Sequence, residues 1–258
     1  MNESLAITAV LGLSLGSFLN VCIYRIPRNI SVISPRSFCP HCNRQLHWFE
    51  LVPVGSYFLA RGKCKVCSGK ISITYPVNEV FVALLFVFLY YRYGMSSEFA
   101  ATAAFSFLML TVAIIDWKYF VVPNVLVLSG VVLGVLLKLS LPGSTIIHDT
   151  IAAILAFVTV FAIRFWGNIY FKKETMGLGD VKLAALIGFF MGFQLFLVSL
   201  WLASLAGAIY GISRHMVLKH ANEEKIPFGS FLGITSVIVM ISHDVIDQLF
   251  ERWLTLVQ

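Results

Sequence analysis

Charged residues are scarce in this chain. Only 12% of its 258 residues are Asp, Glu, Lys or Arg, while 59% are hydrophobic and the mean hydropathy is +0.86. Ordinary soluble domains carry about 25% charged and about 45–50% apolar residues. This composition excludes a typical soluble domain, and apolar runs long enough for membrane helices indicate an all-α polytopic membrane protein.

Several sequence signals are absent. Low-complexity segments, fixed-period repeats and a glycine-rich nucleotide fingerprint are missing. The first apolar segment has no basic region before it and no small-residue cleavage site before Arg25, so we expect a transmembrane helix and not a cleaved signal peptide. The formal charge of +6 mainly reflects membrane orientation, and we expect no nucleic-acid partner.

Eight apolar segments approach the length of a membrane span, so about eight transmembrane helices are expected. They are 4–23, 77–91, 98–115, 121–138, 149–166, 182–194, 196–213 and 230–250. Residues 182–213 form one apolar run of 32 residues, which suits either two short helices turning near 192–194 or one bent helix. Two helices are favoured, because they place the basic loop at 214–229 on the same side as the other basic loops.

The basic residues are distributed unevenly between the two sides. With an external N-terminus, 16 of the 19 lysines and arginines lie on the inner side. This bias predicts that the loops 24–76, 116–120, 167–181 and 214–229 face the cytosol. The loop 24–76 has 53 residues, too many for a simple connector, and we expect it to fold as a small domain between the first helix (1–23) and the remaining membrane domain (77–258).

Two aspartates stand at the inner ends of predicted spans. Asp180 follows Gly177 and Gly179 where a long apolar run begins, and Asp116 ends the third span. Two carboxylates held close together cannot both ionise cheaply, so the pair can hold one proton and supply the acid and base that peptide hydrolysis requires. The glycines would allow an extended peptide to approach Asp180. The alternative is that each aspartate caps or ends its helix independently.

Four cysteines form two C-x2-C pairs in the loop 24–76. The pairs are separated by 21 residues, and they predict a structural zinc site with four thiolate ligands: Cys39, Cys42, Cys64 and Cys67. Two disulfides are the alternative, which a reducing cytosolic location disfavours. Four sulfurs leave no open position on the metal, so the site would be structural.

Taken together, these residues make the sequence resemble the bifunctional prepilin peptidases, the bacterial leader peptidases and N-methyltransferases of type IV pilins and pseudopilins. The resemblance covers nearly the whole chain and rests on ordered motifs: 16–21 with 24–27, 35–42, 56–59, 62–67 with 71–76 and Glu79, 116–123, Met176-Gly-Leu-Gly-Asp180-Val-Lys-Leu183, and Pro227-Phe-Gly229.

The resemblance implies an intramembrane aspartic endopeptidase of the bacterial plasma membrane, with Asp116 and Asp180 as the catalytic pair and Gly177, Gly179 and Lys182 shaping the site. The resemblance also implies that the enzyme cleaves the short basic leader peptide from a prepilin or pseudopilin, after a glycine, on the cytosolic side of the membrane. The new N-terminal residue would then be N-methylated with S-adenosylmethionine, and the zinc-binding loop would be associated with this second reaction. Gly62, Lys63 and Glu79 are the expected cofactor-binding residues.

Two departures and two alternatives accompany this prediction. Ser230 stands where many members have proline, and we expect this change to touch no catalytic group. The short segment between Pro27 and Arg36 favours a competence pseudopilin over a type IV pilus or type II secretion substrate.

The alternative functions are a proton-coupled transporter and a non-catalytic, zinc-stabilised assembly protein of a pilus or secretion complex. The sequence does not predict the oligomeric state.

Overall fold

The computed structural model describes residues 2–140, 146–217 and 226–246, together with residues 248, 252 and 255. These residues are mainly helical and contain no named strand, with only isolated bridges in the cysteine loop. Two 3₁₀ turns follow α1, at Ile26–Arg28 and Trp48–Leu51. The helices are α1 (Asn2–Arg25), α2 (Gly55–Leu59), α3 (Thr74–Tyr93), α4 (Ser97–Tyr119), α5 (Asn124–Ser140), α6 (Ile146–Phe171), α7 (Leu178–Val217) and α8 (Phe228–Ile241).

The predicted fold class is confirmed. Five helices are long and apolar enough to cross a membrane, and α5 and α8 are shorter apolar helices, as expected of a multi-pass membrane protein. These are seven helices, and α7 contains a break that divides it into two segments. The predicted number of about eight spans is therefore approximate. Parts of the predicted loop 214–229 and of the predicted span 230–250 lie outside the described residues, as do Lys219 and Lys225.

Helix α7 is broken at Gly192, as the preference for two helices predicts. Gly192 has φ 80° and ψ 165°, a conformation that is essentially restricted to glycine. In an unbroken helix Asp180 and Tyr210 would be about 45 Å apart. Instead, the ring of Tyr210 lies 5.3 Å from that of Trp117, and Asp180 faces Asp116, the residue before Trp117. The chain therefore reverses at Gly192.

The first compact unit comprises residues 1–103. Its helices α1 and α3 approach closely where α1 has glycines: a Cβ on Gly12 would lie 2.6 Å from Ala83 Cα, and one on Gly16 would lie 2.6 Å from Glu79 Cα. Small residues are what allow membrane helices to approach this closely. Asn20 strengthens the same contact by donating to the carbonyl of Tyr75 at 3.1 Å.

The second compact unit comprises residues 104–258. Helix α8 packs against α4 and α7: Ser230 Oγ donates to Ala113 O at 2.8 Å, and Thr235 Oγ1 donates to Ser199 O at 3.0 Å. Proline sets the connection from α4 to α5, because Pro123 stands just before α5 and helices usually end before a proline. The functional division into 1–23, 24–76 and 77–258 stays a prediction.

Candidate active site

Asp116 lies in the last turn of α4 and is only 5% exposed. Its Oδ2 accepts a 2.8 Å hydrogen bond from the backbone N–H of Ser230, and the Ser230 hydroxyl lies 3.2 Å from the same oxygen. A buried carboxylate needs such partners, since an unpaired charge in an apolar interior is costly. The first turn of α8 therefore supplies the donors that hold Asp116.

Asp180 lies in the first turn of α7 and is 8% exposed. The backbone N–H of Gly177 faces its carboxylate, and Asp116 is the charged group that acts on it across the site. Because α7 begins at Leu178, Asp180 is inside the helix and is not its N-cap. Asp116 lies in the last turn of α4, so both aspartates stand at helix ends, as the alternative of independent capping expects, but their carboxylates also face each other.

Gly229 marks the point where the two carboxylates meet. A Cβ on this residue would lie 3.0 Å from Asp116 Oδ2, 3.0 Å from Asp180 Oδ1 and 3.1 Å from Val122 Cγ2. Oδ2 of Asp116 and Oδ1 of Asp180 are therefore separated by no more than twice 3.0 Å. At this separation one small polar group, such as a water molecule, can contact both carboxylates.

Sequence reasoning missed Gly229 and was wrong about Ser230. The sequence indicates a turn and a helix start at Pro227-Phe-Gly229 without a role in the site, and it predicts that Ser230 touches no catalytic group. The structure places both residues against Asp116. The only available signal was the position of Pro227-Phe-Gly229 just before an apolar run, which does not say that the run packs on α4.

The three residues predicted to shape the site, Gly177, Gly179 and Lys182, have contacts of their own. A Cβ on Gly177 would lie 3.3 Å from Asp180 Oδ2, so glycine leaves room beside that carboxylate. Gly179 was expected to leave room for a peptide beside Asp180. In the structure the space beside Gly179 is filled by Val122, whose Cβ lies 2.8 Å from the position of an added Cβ. Lys182 Nζ donates to Asn124 Oδ1 at 2.9 Å, joining the start of α7 to the start of α5.

The four predicted cysteines come together in the first unit. Their sulfurs all lie within 4.8 Å of one another, and the sulfurs of Cys39 and Cys67 are 3.8 Å apart. Each C-x2-C pair folds the same way: the residue after the second cysteine, Asn43 or Ser68, has positive φ and donates its N–H to the carbonyl of the first cysteine. The cluster can hold one metal ion.

Two thiols of this cluster have unequal proton affinity. The N–H groups of Cys67 and Val66 face Cys64 and lower its pKa to about 6. The N–H of Gly69 lowers the pKa of Cys67, but partial desolvation inside the cluster and hydrogen bonds with three neighbouring thiols outweigh it and raise the value to about 11. A thiol that binds a metal must lose its proton, so metal binding here would be linked to proton release.

An ion pair fastens the loop beside the cluster. Arg44 Nη2 donates to both oxygens of Glu50, at 2.8 and 3.0 Å, and Glu50 Oε2 also accepts the N–H of His47 at 3.0 Å. The hydrogen bond from Arg44 is the main reason that the pKa of Glu50 lies below its ordinary value. The carboxylate of Glu50 is therefore held in its ionised form and in one position by Arg44 and the N–H of His47.

A cavity of about 470 Å³ lies in the same unit, between the cysteine loop and the helices α1 and α3. Two predicted cofactor-binding residues, Lys63 and Glu79, line the cavity. Gly62 is not among the lining residues, and a Cβ added to it would lie 3.0 Å from the hydroxyl of Tyr57, which does line the cavity. Glu79 is 7% exposed and its Oε2 accepts the N–H of Val54 at 2.6 Å. The wall also contains Asn20, Tyr24, Arg25 and two of the clustered cysteines, Cys39 and Cys64.

The fold and the two sites define a multi-pass membrane protein with a buried carboxylate pair and a cluster of four cysteines that can hold a metal ion. Residues 10–93 match the bacterial peptidase A24 N-terminal domain, and residues 103–212 match the type IV leader peptidase family. No solved structure matches the chain.

Relatives named prepilin leader peptidase/N-methyltransferase are similar to this chain over most of its length. One from Bacillus subtilis (strain 168) is 32% identical over 248 residues, covering 96% of this chain and 98% of the relative. One from Pseudomonas putida is 30% identical over 262 residues, covering 93% and 91%. One from Myxococcus xanthus (strain DK1622) is 34% identical over 203 residues, covering 79% of this chain but 61% of that longer relative. The chain belongs to the prepilin leader peptidase/N-methyltransferase family.

Proposed function

We propose that this protein is an intramembrane aspartic endopeptidase that removes the basic leader of type IV prepilins or pseudopilins. The observation that carries the proposal is the convergence of two buried carboxylates, Asp116 and Asp180, on the backbone of Gly229. A glycine at that position leaves room for a peptide carbonyl and a water molecule between the carboxylates. Membership of the family and the names of its members support the same reaction.

The aspartates would divide the chemistry between them. One carboxylate takes a proton from water, whose oxygen attacks the carbonyl carbon of the scissile bond, and the other carboxyl gives its proton to the carbonyl oxygen. When the C–N bond breaks, the first aspartate returns its proton to the leaving amine. Burial supports this role, since water-poor surroundings strengthen the interactions of the carboxylates with the reacting groups.

We propose that the active site faces the cytosol of a bacterial plasma membrane. The uneven distribution of lysines and arginines supports this orientation. A prepilin of this family has a basic leader before an apolar helix, so its cleavage point would lie at the inner membrane interface. Aspartates at the ends of apolar helices, such as Asp116 near the end of α4, suit that depth.

We further propose that the metal held by the four cysteines is a structural zinc ion. Tetrahedral zinc with Zn–S bonds of about 2.3 Å requires sulfurs about 3.8 Å apart, and the sulfurs of Cys39 and Cys67 have that separation of 3.8 Å. All four ligand positions are sulfur, so the ion would hold the loop 24–76 together and leave no position for water. Elemental analysis of the purified protein tests the identity of the metal, with iron as the competing result for a four-sulfur site.

The cavity beside the zinc cluster supports S-adenosylmethionine as the second ligand. About 470 Å³ is within the range of small-molecule sites. The walls offer aromatic rings such as Tyr24 and Tyr57 for an adenine, Lys63 for a carboxylate and Glu79 for a cationic group. When bound, the cofactor supplies a methyl group for the new N-terminal amine of the pilin.

The test is to incubate purified protein with synthetic or co-expressed prepilins, with and without S-adenosylmethionine, and to measure the product masses. The proposal predicts loss of the leader mass and, with the cofactor, a gain of one methyl group. Cleavage without methylation would confine the activity to proteolysis. An absence of cleavage across pilus, secretion and competence substrates, from protein shown to be folded, would contradict the proposal.

A further inference from the structure

Ser230 is fully buried beside Asp116, with 1% of its surface exposed. Its N–H lies 2.8 Å from Asp116 Oδ2 and 3.1 Å from Pro227 O, so the carboxylate is the closer acceptor. Its hydroxyl lies 2.8 Å from Ala113 O and 3.2 Å from the same Oδ2. The N–H of Gly229 also faces this carboxylate. Asp116 thus receives donors from two consecutive residues of α8.

Asp180 has fewer donors. The N–H of Gly177 faces its carboxylate, and the nearest lysine in sequence, Lys182, donates to Asn124. The two members of the pair therefore differ in hydrogen bonding although both are buried. Hydrogen bonds donated to a carboxylate favour its ionised form, and two adjacent carboxyls that share one proton place it on the member with fewer donors.

Building on the proposed peptidase function, we propose that Ser230 is a positioning residue that keeps Asp116 ionised, so that Asp116 is the general base and Asp180 carries the shared proton. Ser230 holds Oδ2 of Asp116 through its N–H at 2.8 Å, and the ionised carboxylate takes a proton from the attacking water. It acts through Asp116 and need not touch the substrate.

The assignment gives each proton a defined path. Asp116 takes one proton from water as the water oxygen bonds to the scissile carbon, while Asp180 gives its proton to the carbonyl oxygen. The C–N bond then breaks, the amine nitrogen takes the proton from Asp116, and one hydroxyl of the intermediate returns a proton to Asp180. Both carboxyls regain their starting states without another reactant.

The elements packed around this end of α4 offer few other titratable groups. Helix α8 has none between Phe228 and Ile241, and α5 has only Lys138, far from its start. On α4 itself Lys118 and Tyr119 follow two and three residues later. Those of α7 at this end are Asp180, which faces Asp116; Lys182, which donates to Asn124; Arg214, which donates to the hydroxyl of Tyr210; and His215, the next residue along the last turn.

The pH profile of kcat/KM for prepilin cleavage tests the proposal with purified full-length protein. Ser230→Ala removes the hydroxyl, and Ser230→Pro also removes the N–H. The acidic limb of the profile should move to higher pH by about one pH unit in Ser230→Pro, which loses the 2.8 Å hydrogen bond from the N–H to the charged group. It should move in the same direction but less in Ser230→Ala, because the single hydroxyl proton lies nearer to Ala113 O, at 2.8 Å, than to Asp116 Oδ2, at 3.2 Å. The alkaline limb, which reports the proton on Asp180, should stay in place.

Ser236→Ala is the matched control, because it removes another buried hydroxyl of α8, one that bonds only to Gly233 O at 2.8 Å in this structure. It should leave both limbs unchanged. Proline is tolerated in the first turn of a helix, but if Ser230→Pro does not fold, Ser230→Ala decides alone.

Three results would overturn the assignment: unchanged limbs in Ser230→Ala, a lower rate at every pH without a shift, or a shift of the alkaline limb alone. Failure of the proposed function is distinguishable, since the wild-type protein would then cleave no prepilin at any pH.

Discussion

The carboxylates of Asp116 and Asp180 converge on one backbone position, where an added Cβ would lie 3.0 Å from an oxygen of each. The residue at that position is Gly229, in the first turn of α8. The pair therefore depends on three helices, α4, α7 and α8, and on the absence of a side chain between them. Both of these requirements can be tested by substitution.

Gly229→Ala should inactivate the peptidase without unfolding it. The new methyl group would contact both carboxylates and Val122 Cγ2, at 3.0–3.1 Å, and push the carboxylates out of place. A misplacement of about 1 Å at a catalytic group can cost on the order of 10²-fold in rate. The measurements are the prepilin cleavage rate and the thermal unfolding of the same preparation.

Gly207→Ala is the control for this substitution. An added Cβ there would meet only Phe231 at 3.7 Å, an ordinary contact. It should preserve cleavage. Full activity of Gly229→Ala would mean that the carboxylates do not work at the separation seen in the structure.

Gly192→Ala should destabilise the second unit. Residue 192 has φ 80° and ψ 165°, and nothing lies within 4 Å of an added Cβ, so the effect would come from the backbone alone. A non-glycine residue in such a conformation costs on the order of 1–3 kcal/mol. Thermal unfolding in detergent should detect the loss, and an unchanged unfolding temperature would argue against a sharp reversal at Gly192.

The sequence predicts much of this fold because membrane helices are specified locally. Apolar runs place the helices, and the basic loops together with Gly192 favour a turn inside the run 182–213. The same logic finds Asp116 and Asp180, since charges at the ends of apolar runs stand out. The cysteine pairs are equally visible, because their two-residue spacing is itself the signal.

The sequence does not reveal Gly229 and Ser230 as parts of the site, because their role depends on a distant contact. Ser230 is 114 positions from Asp116, and the two meet only because α8 packs against α4. Gly179 illustrates the same limit: glycine was correctly noted beside Asp180, but the group that fills the space is Val122, far away in the sequence.

Removal of the zinc ion proposed for the four cysteines should abolish methyl transfer before it affects proteolysis. The cysteine cluster borders the cavity in the first unit, where Cys39 and Cys64 form part of the wall, whereas both aspartates belong to the second unit. Product masses should show cleaved but unmethylated pilin after chelation, with methylation restored by added zinc.

Cys64→Ala should reproduce the effect of chelation. Cys22→Ala is its control, because Cys22 is a free cysteine that does not belong to the cluster, and this variant should retain the metal. Immediate loss of cleavage on chelation, with the fold intact, would instead indicate a metallopeptidase.

Acidification should loosen the segment 44–51. The pKa of Glu50 is below its ordinary value because Arg44 and the N–H of His47 hold the ionised form. The stabilisation is therefore complete above the pKa of an unfolded glutamate, about 4.3, and is lost as the pH falls through the lower folded value. Amide exchange of residues 44–51, corrected for its intrinsic pH dependence, should increase below about pH 4.

Glu50→Gln should show the faster exchange already at neutral pH. Protection of this segment that is independent of pH in the wild type, or unchanged in Glu50→Gln, would show that the ion pair does not hold the loop.

The measurement that tests the central claim most directly is prepilin cleavage by Asp116→Asn, Asp180→Asn and the double variant. Each single substitution should lower cleavage by on the order of 10³-fold or more, and the double variant should be little worse, because residues that act as a unit are not additive. Asp149→Asn is the matched control, since this aspartate pairs with Lys138 at 3.0 Å and should be dispensable for cleavage. Methylation of a pilin supplied without its leader should survive in Asp116→Asn, Asp180→Asn and the double variant. Wild-type cleavage by either single variant of the pair would contradict the account.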